Sequence, residues 1–124
     1  MFEHDPAWLP LLVAEVMEPL AAERGVSEVA RSRRGFMTAY KLAGGEPTLL
    51  GIDHESGQHW TEKRRLFVNR HLGAARKREE KMWLKRKGEW IPSRRHLALI
   101  MWAYTPTPNR LGKWLRRRAL EGRT

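Results

Sequence analysis

The chain has 124 residues, 41% of them apolar and 31% charged, with a net charge of +10 and no cysteine. That length supports one domain, 1–124, with a single modest core, and the missing cysteine excludes disulfides, thiolate metal sites and cysteine nucleophiles. No run approaches the roughly 20 apolar residues that span a bilayer, and the acidic opening MFEHDPAWLP lacks the positive start of a signal peptide, so the expectation is an unprocessed cytoplasmic protein with no membrane partner.

Charge is unevenly placed along the chain. Residues 1–30 hold six acids (Glu3, Asp5, Glu15, Glu18, Glu23, Glu28) against Arg24, whereas residues 31–124 hold 23 of the 24 bases. This divides the domain into an acidic N-terminal helix and a basic helical body, and the body calls for an anionic partner.

In chain order, the first predicted element is a helix opening near Leu9 or Pro10 and stopping at Gly25, kinked or restarted near Pro19, where a backbone donor is missing. Its apolar stripe is Leu9, Leu12, Val13, Val16 and Leu20. SEVARSRRGFMTAYKLAGG predicts a second helix with Ser27 as cap, weakened midway by Gly35 and ended by Gly44-Gly45. EPTLLGIDHESGQ has no helical period and is assigned to a loop. From Trp60 to Lys87, a three- and four-residue spacing of Phe67, Val68, His71, Leu72, Ala75, Met82 and Trp83 predicts one long helix, or two broken near Gly73, with Gly88 as the stop. IPSRRHLALIMWAY follows as a central helix, apolar on nearly every side, with Pro92 in its first turn. Thr107-Pro108 then opens a last helix from Asn109 to about Leu120. Strand signals are nearly absent. The fold class expected is therefore all-α, a single domain of about five helices.

The last two helices and the intervening TPTP resemble helix-turn-helix spacing. Leu111, Trp114 and Leu115 would dock the final helix on its predecessor, and Arg110, Lys113 and Arg117 would share its outer face. Asn109 and Arg110 could then meet base edges, although the Pro-rich turn and Gly112 depart from the usual pattern. Arg94, Arg95, Arg110, Lys113, Arg116 and Arg117 are the preferred nucleic-acid contacts, with Arg76, Lys77 and Lys81 as a second patch on the long helix. Guanidinium groups grip phosphate in a bidentate fork, ammonium groups as point charges. Among Trp60, Trp83, Trp90 and Trp102, Trp90 is the best exposed candidate to stack on a base, though the sequence favours its use as a hydrophobic anchor of its loop, and Trp102 is placed in the core by its neighbours.

Catalytic signatures are weak. Asp53, His54, Glu55 and His59 are metal-ligand types within one short loop, but their spacing matches no helix-borne zinc motif. His71 and His96 have no local partner that would make either a general base, though His96, after Arg94 and Arg95, could contact phosphate. There is no nucleophile elbow and no phosphate-cradling glycine loop, and no cofactor is expected. The function that follows is a small, basic, non-enzymatic nucleic-acid-binding protein, DNA or RNA, with a regulatory role as one use. Its affinity would come chiefly from counterion release at phosphates. The alternatives are an adaptor, or a phage or mobile-element structural component, that docks on an acidic protein surface, and, third, a metal-dependent nuclease using the Asp53–His59 loop.

Overall fold

Aromatic rings form the centre of the molecule. Phe36 and Phe67 stack on Trp102 with centroids 4.9 and 4.6 Å away, and Tyr40 stacks on Phe36 at 5.5 Å. The computed structural model describes residues 5–121. Glu3 and the remainder of residues 1–4, together with residues 122–124 of the expected domain, lie outside the described residues. Around the rings, the described residues form five α-helices and one two-stranded antiparallel sheet: α1 (Leu11–Glu23), α2 (Phe36–Leu42), α3 (Trp60–Lys77), β1 (Trp83–Arg86), β2 (Glu89–Pro92), α4 (Arg94–Ile100) and α5 (Pro108–Glu121). The domain is compact and mainly helical but not purely all-α. None of these helices is long and apolar enough to cross a membrane.

Helix α1 begins where expected, with Pro10 at its N-cap, and runs through Pro19 without a break to Glu23. Its fully buried residues are Ala14, Met17 and Ala21; of the predicted stripe, Leu9 is buried and Val13 and Leu20 pack partly buried against the core, but Leu12 and Val16 are 77% and 61% exposed. The small alanines allow α1 to pack closely against α4, and that contact outweighs the burial available to the larger residues on the other side.

The second predicted helix loses its first half. Ser27 has a φ of +56°, outside the extended range an N-cap needs. Residues 27–35 are turns held by side-chain bonds to the backbone, including Ser32 Oγ to the Val29 carbonyl (2.6 Å) and Thr38 Oγ1 to the Ser32 carbonyl (2.7 Å). Such local bonds compete with helical ones. Gly35 is the N-cap of α2, not a weak point within a helix. A Cβ there would come within 2.1 Å of the Val29 carbonyl oxygen and 2.3 Å of that of Ala30, so glycine is needed for the close approach of two backbone segments.

The sharpest departure from expectation follows α3. The helix ends at Lys77, and Trp83 and its neighbours turn into a hairpin in which Trp83 pairs with Pro92, Leu84 with Ile91, Lys85 with Trp90 and Arg86 with Glu89. Lys87 and Gly88 join the strands, both at positive φ (+49° and +81°), as a two-residue type I′ hairpin turn requires. Gly88 therefore turns a hairpin rather than stopping a helix, and Pro92 ends a strand rather than opening the next helix. Ser93 caps α4 by accepting from the His96 backbone N–H at 3.1 Å.

Helix α4 is buried along His96, Leu97, Leu99 and Ile100 and ends at Ile100, short of the predicted Tyr104. Residues 101–107 connect it to α5, a longer link than the three or four residues of a helix-turn-helix. Leu111 is buried, but Trp114 rests on the hairpin: its ring lies 6.1 Å from Trp83, and its Nε1–H donates to the Trp90 carbonyl at 2.9 Å.

Arg64 is fully buried beneath the aromatic cluster. Its guanidinium donates to four backbone carbonyls, those of Pro6 (2.9 Å), Ala7 (2.6 Å), Trp102 (2.8 Å) and Ala103 (2.9 Å), and lies 3.7 Å from the Trp8 ring. Burial lowers its pKa to about 10, which leaves it protonated at neutral pH. One cation thus ties the segment before α1 to the turn after α4.

Candidate nucleic-acid interface

The hairpin and α5 together create a groove of about 450 Å³. One wall is the outer face of α5, which presents Asn109, Arg110, Lys113 and Arg117. The other is the hairpin face that carries Trp83 and Trp90, which lie on the same side because strand side chains alternate and Trp83 pairs across to Pro92, two residues past Trp90. Trp83 is buried, its Nε1–H donating to Thr107 Oγ1 at 3.0 Å, whereas Trp90 is 43% exposed. Lys85 Nζ and the Arg110 guanidinium carbon lie 5.6 and 5.4 Å from the Trp90 ring centroid, within cation–π range. Arg110 and Lys113 take part in no ion pair among the described residues. Arg117 lies 3.7 Å from Glu121, and Arg118 3.8 Å from Glu89, both pairs well exposed.

The structure distributes the other expected contacts differently. Arg116 is exposed on α5 but does not line the groove. Arg94 is exposed at the start of α4 and donates to the Arg24 carbonyl at 2.5 Å. Arg95 is drawn inward: it forks onto Glu80 at 2.7 and 2.9 Å, and its Nη1 meets His71 Nδ1 at 2.6 Å. A guanidinium only donates, so His71 accepts through Nδ1 and is neutral. Burial, and then the charges of Arg95 and Arg70, lower the His71 pKa accordingly. The hydrogen bond from Arg95 lowers the Glu80 pKa, and Glu80 in turn raises that of Arg95. Arg76 and Lys77 end α3 and Lys81 lies beyond it, so the second patch does not form one helical face.

His96 is a core residue and touches no surface. The Met82 carbonyl can only accept, so Nδ1 carries the proton and donates to it at 3.1 Å, and Nε2 accepts from the Thr105 hydroxyl at 2.7 Å. Burial lowers its pKa to about 4, against a smaller upward effect of the Met82 bond.

The Asp53–His59 loop does not converge on a metal site. Asp53 is buried and its carboxylate accepts from Lys63 Nζ, the Ser56 hydroxyl and the Glu55 backbone N–H. The Lys63 bond, foremost, lowers its pKa. Glu55 pairs with Arg34 at 3.0 Å, and His54 and His59 are exposed. Among the described residues, no group of three or more His, Asp or Glu side chains could hold a metal ion.

Sequence reasoning found the α5 half of the groove through its three- and four-residue spacing. It did not place Lys85 beside Trp90, because that needs the hairpin; Lys-Gly between two short runs containing Trp was the available signal. Compared with known proteins, the chain matches no family model, no curated protein and no solved structure.

Proposed function

We propose that this is a small, basic, non-enzymatic nucleic-acid-binding protein that grips the phosphate backbone. The observation that supports this most is the groove, where Arg110, Lys113 and Arg117 project together from α5 beside an exposed tryptophan. Arg116 and Arg94 add exposed charge, and Arg95 is better understood as the partner of Glu80. Phosphate gripping fits better than base reading by a helix-turn-helix, because the link before α5 is long and the inner face of α5 is engaged by the hairpin.

The test is binding of duplex DNA, single-stranded DNA and RNA across a salt series. Affinity should fall steeply with salt, by a slope of roughly 0.9 per duplex phosphate engaged. Arg110→Ala and Lys113→Ala should each lower that slope by about 1. No binding at low salt refutes the proposal.

A second reading, docking on an acidic protein surface, is favoured by a different cavity of about 600 Å³ beside α2. Leu42 and Leu49 are 85% and 69% exposed at its rim, next to Arg33 and Arg34. The outward face of α1 in a second copy, with Leu12, Val16 and Glu15, has the complementary chemistry. Sedimentation at low salt checks this, and a monomer at every concentration excludes self-docking.

A further inference from the structure

We propose that the groove between the hairpin and α5 holds an unpaired nucleobase stacked on Trp90, so that the preferred ligand is single-stranded nucleic acid. This rests on the nucleic-acid reading above and narrows it.

Trp60, Trp83 and Trp102 are all buried, whereas Trp90 leaves much of its ring in water. The ring is nevertheless held in place. Its residue is paired in the ladder with Lys85, and its carbonyl is fixed by the Trp114 indole N–H. A ring on a fixed backbone loses little freedom when a base stacks on it. The groove beside it is of ligand-pocket size, typically about 300–1,000 Å³.

Cations stand at the right places for the rest of a nucleotide. Lys85 and Arg110 lie over the Trp90 ring, so an entering base displaces one of them toward its own phosphate, and Lys113 lies one turn further along α5. A strand whose base enters the groove would therefore bring its phosphates to positive charge. Asn109 at the groove wall offers both a donor and an acceptor to a base edge. A duplex could reach the same cations, but its bases are stacked on one another and do not present a face to Trp90. Every base has such a face, so the site predicts strand state rather than sequence.

The experiment uses the full chain and three probes at one salt concentration: a twelve-residue oligothymidylate, an abasic strand of the same length and phosphate count, and a duplex of the same length. Fluorescence anisotropy of labelled probes gives the affinities. The oligothymidylate should bind about 5- to 150-fold tighter than the abasic strand, the range for one stacked base. Trp90→Ala should bring that ratio close to one and leave abasic and duplex binding within about twofold, while Trp90→Phe should keep part of the preference. Equal binding of the oligothymidylate and the abasic strand by the unaltered protein overturns the base site, as does a ratio that Trp90→Ala leaves intact. In either case binding of all three probes that weakens across the salt series described above would leave the phosphate reading standing. Binding of none of the probes overturns both.

Discussion

His96 sets a stability limit on the acid side that can be worked out in advance. Its folded pKa is about 4, against an ordinary value of 6.5. Because the folded value is the lower one, the unfolded chain takes up the proton first. The neutral, buried imidazole is therefore without penalty above about pH 7. Stability is lost as pH falls through 6.5, and the loss is complete below about 4. A folded pKa that lies one pH unit below the unfolded one corresponds to about 1.36 kcal/mol, so the full loss is about 3 kcal/mol, of which about 2 kcal/mol is reached by pH 5. The cause is desolvation rather than a broken bond. Nδ1 keeps its carbonyl partner on protonation, and the Thr105 hydroxyl, which already accepts from the Thr107 backbone N–H, has a second lone pair for a new Nε2–H. Urea unfolding at pH 7.5 and pH 5 reads the difference as a fall in midpoint of about 1 M. Working above pH 5 keeps Asp53 and Glu80 ionised, since both titrate below their ordinary carboxylate values. His71 is also lowered and acts in the same direction, so the decisive comparison is His96→Gln, which should lose most of the pH 7.5 to pH 5 difference whatever its absolute stability. Equal midpoints for the unaltered protein at the two pH values, or a His96→Gln variant that keeps the whole slope, would refute the reasoning.

Three further outcomes follow from particular contacts. Arg64→Met should destabilise the fold by about 3–5 kcal/mol, at about 1–3 kcal/mol for each acceptor left unsatisfied, because the Pro6, Ala7 and Trp102 carbonyls lose their donor while that of Ala103 keeps the Leu9 N–H; chemical denaturation checks it. Gly35→Ala should cost about 3 kcal/mol or more, since its methyl would press on two backbone carbonyls that cannot both move, and the same measurement reads it. Magnesium, manganese or zinc at millimolar concentration should neither raise the melting temperature nor cleave added nucleic acid, because Lys63 already occupies the Asp53 carboxylate; a rise that Asp53→Asn abolishes would contradict this.

The helical parts of the fold were legible where sequence punctuation and packing agreed. Gly25 and Gly44 both fall just past the ends of their helices at positive φ, and α5 occupies nearly its predicted span. Failures came where a local signal was overruled by something distant. In α1, hydrophobicity selected Leu12 and Val16, but close contact with α4 favours Ala14 and Ala21. Around Ser27, a good capping residue was denied its helix by the turns that let Gly35 abut the Val29 and Ala30 carbonyls. The hairpin was missed because Met82 and Trp83 continue the three- and four-residue spacing of α3, and a four-residue strand offers too little alternation to oppose it. Only the Lys-Gly turn spoke for it.

The candidate site divides along the same line. Arg110, Lys113 and Arg117 could be grouped from spacing alone, because one helix carries all three and Leu111 holds that helix down. Whether a charge is already paired is not visible in spacing: Arg95 reads in sequence like Arg94, yet the first is locked onto Glu80 and the second stays at the surface. Nor is the fate of a tryptophan. Trp83 and Trp90 stand on the same face of one hairpin, seven positions apart in sequence, and the first is buried by Trp114 and His96 while the second projects past them. That difference depends on where α5 crosses the hairpin, a contact set by residues 101–107 and by the indole bond from Trp114 to the Trp90 carbonyl. The same crossing that buries Trp83 anchors the backbone under Trp90 and sets Arg110 beside its ring. Core packing and the exposed groove are therefore two results of one contact, and changes at Trp114 should disturb the proposed binding even though its N–H faces the hairpin backbone.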